Sequence, residues 1–169
     1  MKIQLQFKNI VDEPRCRILI NDQVLFVGIT QLHHAFDVEI PQGACRLTIV
    51  HHDKSPEHTI VENGVIVRDR SFELERCVID GYDLQELVWH SEFVADDGAV
   101  YKSCLFFGPN GEFQLDFENP ALRWILRTRH EHNNNDPHWA EDFEYYQQAC
   151  NRLQQILIKY WHFHGLKVK

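Results

Sequence analysis

The feature that most constrains this chain is an alternation of apolar and polar residues that keeps returning. "KIQLQF" sets Ile3, Leu5 and Phe7 against polar neighbours, and "RCRILI" does the same with Cys16, Ile18 and Ile20. "HAFDVEI" spaces Phe36, Val38 and Ile40; "CRLTIVH" spaces Cys45, Leu47 and Ile49; "EFQLDF" spaces Phe113, Leu115 and Phe117. Successive side chains of a strand point to opposite faces, so a period of two predicts strands with one dry face and one wet face. The runs return about every ten residues. Turn formers separate them: Asn21-Asp22, Pro41-Gln42-Gly43, Asn63-Gly64 and Pro109-Asn110-Gly111. No strand–helix alternation supports a parallel sheet. Two antiparallel sheets packed dry face to dry face satisfy every run at once. The expected fold is therefore mostly β: an antiparallel, jelly-roll-like β-sandwich over residues 1–126.

After residue 126 the pattern changes. "RTRHEHNNN", residues 127–135, has no apolar residue and reads as a polar linker or exposed loop. Beyond it, Trp139, Phe143, Tyr146, Cys150, Leu153, Leu157, Tyr160 and His164 recur at steps of four and three. That spacing predicts a long amphipathic helix in residues 136–169. Asp136 fits its N-cap, Pro137 its first position and Gly165 its end. The second half adds Ile156, Trp161 and Phe163, so the apolar band is wide. Such a band needs cover from more than one side. The expected partner surface is Trp139, Phe143, Tyr146, Leu153, Ile156, Leu157, Tyr160, Trp161 and Phe163, met by a second copy or another protein chain.

Charge narrows the partners. The formal net charge is −8, with 17 Lys and Arg against 25 Asp and Glu. Phosphate backbones and anionic bilayers are bound by clustered cations, which this sequence lacks. No nucleic-acid or membrane partner is expected, and no stretch is long and apolar enough to span a bilayer. The opening "MKIQLQFKNI" lacks the apolar core of a secretory leader. Five cysteines without a CxxC pair read as buried free thiols.

Few residues point to chemistry. There is no G-x-S-x-G, phosphate-binding loop or H-E-x-x-H, so no catalysis is expected. Glu73 and Glu75 read as the wet face of a strand. His130, His132 and His138 read as part of a solvated loop, and in the doublets His33-His34 and His51-His52 the two rings point to opposite sides. "VRDRSFELERCVIDGYDL" reads as one strand with an acidic exit at Asp80-Gly81-Tyr82-Asp83. Oxygen-rich loops bind calcium, whereas Asp-Gly also makes turns. No cofactor is expected, with calcium the candidate should one be needed. Tyr82, Trp89, Tyr101 and Trp124 are the aromatics considered as saccharide platforms, Tyr82 and Trp89 foremost.

The same stretch, with "CRLTIVHHDK" before it, resembles strand patterns in sandwich-type carbohydrate-binding modules. In those a D-R pair precedes a strand ending in I-D-G. The arrangement, together with "FFGPNGEFQLDFENPALRWIL", also resembles small virion-associated proteins of tailed phages. The resemblance covers residues 1–126 and implies Asp80 and Asp83 as cation ligands. The sequence as a whole leads to a non-enzymatic structural or interaction protein, a phage virion component assembling through its C-terminal helix. The alternative is a carbohydrate-binding module, calcium-dependent or not, used for host or glycan attachment. The expected location is a virion, or else the cytoplasm.

Overall fold

The computed structural model describes residues 1–132. The chain divides after Ile125 into two units, and the first, Met1–Ile125, holds all the strands of the described residues. In chain order its strands are β1 (Lys2–Val11), β2 (Arg15–Ile20), β3 (Gln23–Ile29), β4 (His33–Asp37) and β5 (Gly43–His52). A short 3-10 turn, Pro56–His58, precedes β6 (Thr59–Glu62), β7 (Val65–Asp69), β8 (Ser71–Ile79) and β9 (Tyr82–Asp83). A second 3-10 segment, Gln85–His90, leads to β10 (Ser91–Ala95), β11 (Val100–Lys102), β12 (Phe106–Phe107) and β13 (Gly111–Asn119).

These strands make two antiparallel sheets and a separate hairpin. One sheet has the order β12-β8-β1-β4, with β9 also paired to β8. The other has the order β11-β10-β13-β5-β2-β3, and β6 and β7 pair only with each other. The dry faces of the two sheets share one core. Ile3, Leu5 and Phe7 of β1 and Phe72 and Leu74 of β8 meet Ile18 of β2, Ile49 of β5 and Phe113 of β13, all buried. Phe107 stacks on Phe72 at 4.6 Å and stands edge-on to Phe93 and Phe113 of the opposite sheet, each at 5.6 Å. Apolar burial and these ring contacts hold the layers together.

Several local expectations change. "VRDRSFELERCVIDGYDL" is three strands: β7, β8 and β9. Between β7 and β8, Arg70 donates its amide to the His58 carbonyl, leaving β7 in the hairpin. "YKSCLFFG" also divides. Ser103 adopts φ of 55°, so β11 joins β10 in one sheet while β12 joins β8 in the other. The segment 127–135, expected as a linker, is helical as far as it is described. The helix α1 spans Ala121–His132 and continues into the second unit. Its residues explain this: Leu, Arg and Ala have high helix propensity, and polarity alone does not make a loop. The helix expected in 136–169, with its nine proposed contact residues, lies outside the described residues.

Candidate functional site

The candidate site grows from an irregularity in β8. Inward residues of this strand are Phe72 and Leu74, then Cys77 and Ile79, so the step between the pairs is three rather than two. The register with β1 shows why: Phe7 pairs Leu74 and Gln6 pairs Arg76, which leaves Glu75 as an extra residue. It is a β-bulge. Were Glu75 paired in ordinary register, strict alternation would drive Arg76 into the core and Cys77 out. With the bulge, Arg76 and Val78 reach the outer face while Cys77 and Ile79 stay inside.

That outer face carries an open cleft of about 220 Å³, lined by Gln4, Gln6, His33, Ala35, Arg76 and Val78. The register aligns these residues in two rows. Val78, Gln4 and Ala35 lie side by side on β8, β1 and β4, and so do Arg76, Gln6 and His33. The first row has short side chains at both ends and forms the floor, and the second row is long and polar. Neighbouring strands lie about 4.8 Å apart, so the polar groups are spaced by that interval.

Hydrogen bonds fix part of this array. Gln6 Nε2 donates to Glu75 Oε2 at 2.5 Å, tying the bulge to β1. Arg76 Nε donates to Asp83 Oδ2 at 2.6 Å, holding the guanidinium beside the cleft with its charge offset. Glu73 accepts from Asn9 at 2.9 Å and pairs with Lys8 at 3.2 Å. Both glutamates thus serve the outer surface, as their spacing predicts. Gln4 and His33 have no side-chain partner among the described residues. Beneath the cleft, His34 faces inward against Phe7 and Phe36, and burial lowers its pKa. Burial pushes the Cys77 thiol up to about 12 and Cys16 to about 11, so both stay protonated and unreactive.

The acidic exit of β8 is a hairpin turn. Asp80 and Gly81 have φ of 50° and 86°, the signature of a type I′ turn. Glycine takes the second position without strain, and aspartate tolerates the first. Asp80 Oδ1 accepts the Lys2 amide at 2.7 Å, and the Asp80 amide donates to the Lys2 carbonyl at 2.8 Å, closing the end of β1. Asp83 is on Arg76. The two carboxylates proposed as cation ligands thus serve different protein partners. Among the described residues no group of three or more His, Cys, Asp and Glu is gathered to hold a metal.

The aromatic candidates are spread apart. Tyr82 is exposed on β9, but it directly precedes Asp83 and so points away from the cleft face. Tyr101 stands on β11 of the other sheet, 6.4 Å from Phe93. Trp124 is buried, its ring 6.2 Å from both Phe117 and His90. The side chain of Trp89 lies outside the described residues. Of the cleft residues, sequence reasoning names only His33, as half of a doublet with no site assigned to it; Gln4, Gln6, Ala35, Arg76 and Val78 are not singled out. The signal for Arg76 and Val78 was present, in the three-residue step from Leu74 to Cys77.

Among the described residues no helix is long and apolar enough to cross a membrane. No family model matches the chain. No curated protein matches it either. Among solved structures it is similar to a vCBM60 in complex with galactobiose, at a TM-score of 0.41 and 10% identity, covering 68% of this chain and 96% of that one.

Proposed function

We propose that the chain is a non-catalytic binding module that holds a saccharide on the outer face of the β12-β8-β1-β4 sheet. The observation that carries this reading is the cleft beside the bulge. Planar amide and guanidinium groups stand along one row, and the short side chains of Val78 and Ala35 flank Gln4 on the other. A saccharide offers the complement: hydroxyls that both donate and accept, and a C–H face that packs on short apolar side chains. Gln4 and Gln6 supply both donor and acceptor atoms from one group. The Arg76–Asp83 pair leaves the site without a strong unpaired charge, which suits hydroxyls better than an ionic ligand. No cation is used in this reading, so binding is expected to survive a chelator.

The test is a glycan array followed by calorimetry on the saccharide that binds. Gln4→Ala and Gln6→Ala are each expected to weaken binding about tenfold, the worth of one or two hydrogen bonds. Retention of full affinity in the double variant would refute the site.

A second reading, a protein-interaction or assembly role, is favoured by a different observation. The β6–β7 hairpin exposes Ile60, Val61, Val65, Ile66 and Val67. Assembly through the C-terminal segment remains a proposal of the sequence, tested by comparing the solution mass of the full chain with that of a truncation at Asn135.

A further inference from the structure

The β6–β7 hairpin stands apart from both sheets and is apolar on both faces. Ile60, Val61, Val65, Ile66 and Val67 are 41–63% exposed. Its base is well tied. Asp69 accepts from Thr59 Oγ1 and pairs with Lys54, each at 2.6 Å, and Arg68 pairs with Asp12. Beyond those anchors the only charge in the ribbon is Glu62. A two-stranded ribbon is marginal alone in water, and natural edge strands are normally blunted by lysine, proline or inward charge. Strand β6 carries no lysine or proline on its open edge; its protection is limited to its short length, the charge of Glu62 and a register break between Ile60 and Val61.

The residues around β6 are self-complementary. Laid antiparallel on a second copy with Ile60 opposite Ile60, the strand sets Thr59 against Val61, twice, and brings each Glu62 toward the end of the partner's 3-10 turn at His58. The histidine is prepared for that contact. The Ser55 amide donates to His58 Nδ1 at 3.0 Å, so Nδ1 is the acceptor and Nε2 carries a proton to donate. Glu62 has no partner among the described residues. Strand β7 offers no such match. Centred on Val67 it would set Ile66 against Arg68 and Val65 against Asp69, leaving each aliphatic facing a charge. Glu62 beside the turn also argues against a lipid occupant, since a carboxylate at the tip resists burial in hydrocarbon.

We infer that the β6 edge is the interface of a two-fold dimer of this chain, in which two hairpins join as one four-stranded antiparallel sheet. An isologous contact of this kind closes on itself. The ribbon is short, so the interface belongs to the small class below about 1,200 Å² in total and the dimer is weak.

The test uses the full chain with Cys104→Ser and Cys150→Ser. Opposed Cα atoms in such a register lie about 4.5–5.5 Å apart, within disulfide reach. Ile60→Cys is expected to form a cross-linked dimer on mild oxidation, and Val24→Cys, exposed on β3, is not. Light scattering between about 10 µM and 1 mM should show the mass rising toward twofold. Glu62→Lys should weaken association about tenfold. Phosphatidylcholine vesicles form a further arm. A monomer at every concentration, equal cross-linking at Val24→Cys, or a hairpin that remains monomeric and floats with vesicles would each overturn the inference.

Discussion

Strands β8 and β13 are both nine residues long, and each pairs on two sides within its sheet. They differ in one residue. Strand β13 alternates without a break, burying Phe113, Leu115 and Phe117 in register with Ile49, Leu47 and Cys45 of β5. Strand β8 carries the extra Glu75, and its inward residues change phase at that point. The regular strand does one thing: it fills the core. The bulged strand fills the core too, and it also turns Arg76 and Val78 out beside Gln4 and Gln6. The lesson is that a local departure from the rule that builds the fold holds part of the candidate site in place, because Glu75 anchors Gln6.

This contrast predicts opposite responses to the loss of one residue. Deleting Gln114 shifts the phase of β13, sending Leu115 and Phe117 to solvent and Asp116 inward. A one-residue slip flips every following side chain, so the cost should exceed the total stability of a small domain, about 5–15 kcal/mol. No cooperative urea transition should remain. Deleting Glu75 instead removes the bulge and leaves Phe72, Leu74, Cys77 and Ile79 in strict alternation. That variant should still unfold cooperatively, at a cost of about 1–2 kcal/mol. Its saccharide affinity should fall, because Gln6 loses its anchor and the cleft loses its curvature. Equal damage from the two deletions would break the comparison.

A smaller effect sharpens it through pH. His51 is buried, and its Nδ1 lies 2.9 Å from the Pro109 carbonyl oxygen, which only accepts, so Nδ1–H donates. Burial holds its pKa down to about 4, against a usual value near 6.5. Between those values the unfolded chain binds a proton that the folded chain refuses. Stability should therefore be full above about pH 6.5 and fall as pH drops toward 4, by up to about 3 kcal/mol. His51→Gln should flatten that part of the urea-midpoint profile. The core near β5 is thus acid-sensitive, whereas the outer cleft is built from groups less tied to burial.

The smallest effect belongs to the regular side. Arg46 Nε pairs with Asp116 Oδ1 at 2.6 Å on the wet face of β5 and β13, with both side chains at least half exposed. Hydrogen bonding from Arg46 holds the Asp116 carboxyl below its usual range. Because solvent and salt screen such a pair, Asp116→Asn should cost no more than about 0.5 kcal/mol, less at high salt. Thermal melts at low and high ionic strength check this.

Much of the fold was legible because the dry face leaves a simple trace. Ile3, Leu5 and Phe7, and Phe113, Leu115 and Phe117, sit inside as their period requires. Asn63-Gly64 also makes the hairpin turn its dipeptide announces, with φ of 52° and 80°. Pairing was not legible: nothing local says that β1 lies between β4 and β8, since the register is set by contacts far apart in sequence. The site was missed for a related reason. Taken as one strand, "VRDRSFELERCVIDGYDL" hides the three-residue step from Leu74 to Cys77 that marks the bulge. Aromatics and carboxylates are the conspicuous residue types in the sequence, yet Trp124 is in the core and Asp80 closes a turn.

The most direct test is an NMR titration of the ¹⁵N-labelled chain with the saccharide that a glycan array selects. The largest shifts are predicted at the side-chain amides of Gln4 and Gln6 and the backbone amides of His33, Arg76 and Val78, and the deletion of Glu75 should weaken the binding that produces them. Shifts confined to Tyr82 and Tyr101, or to the β6–β7 hairpin, with the cleft amides unmoved, would contradict the account.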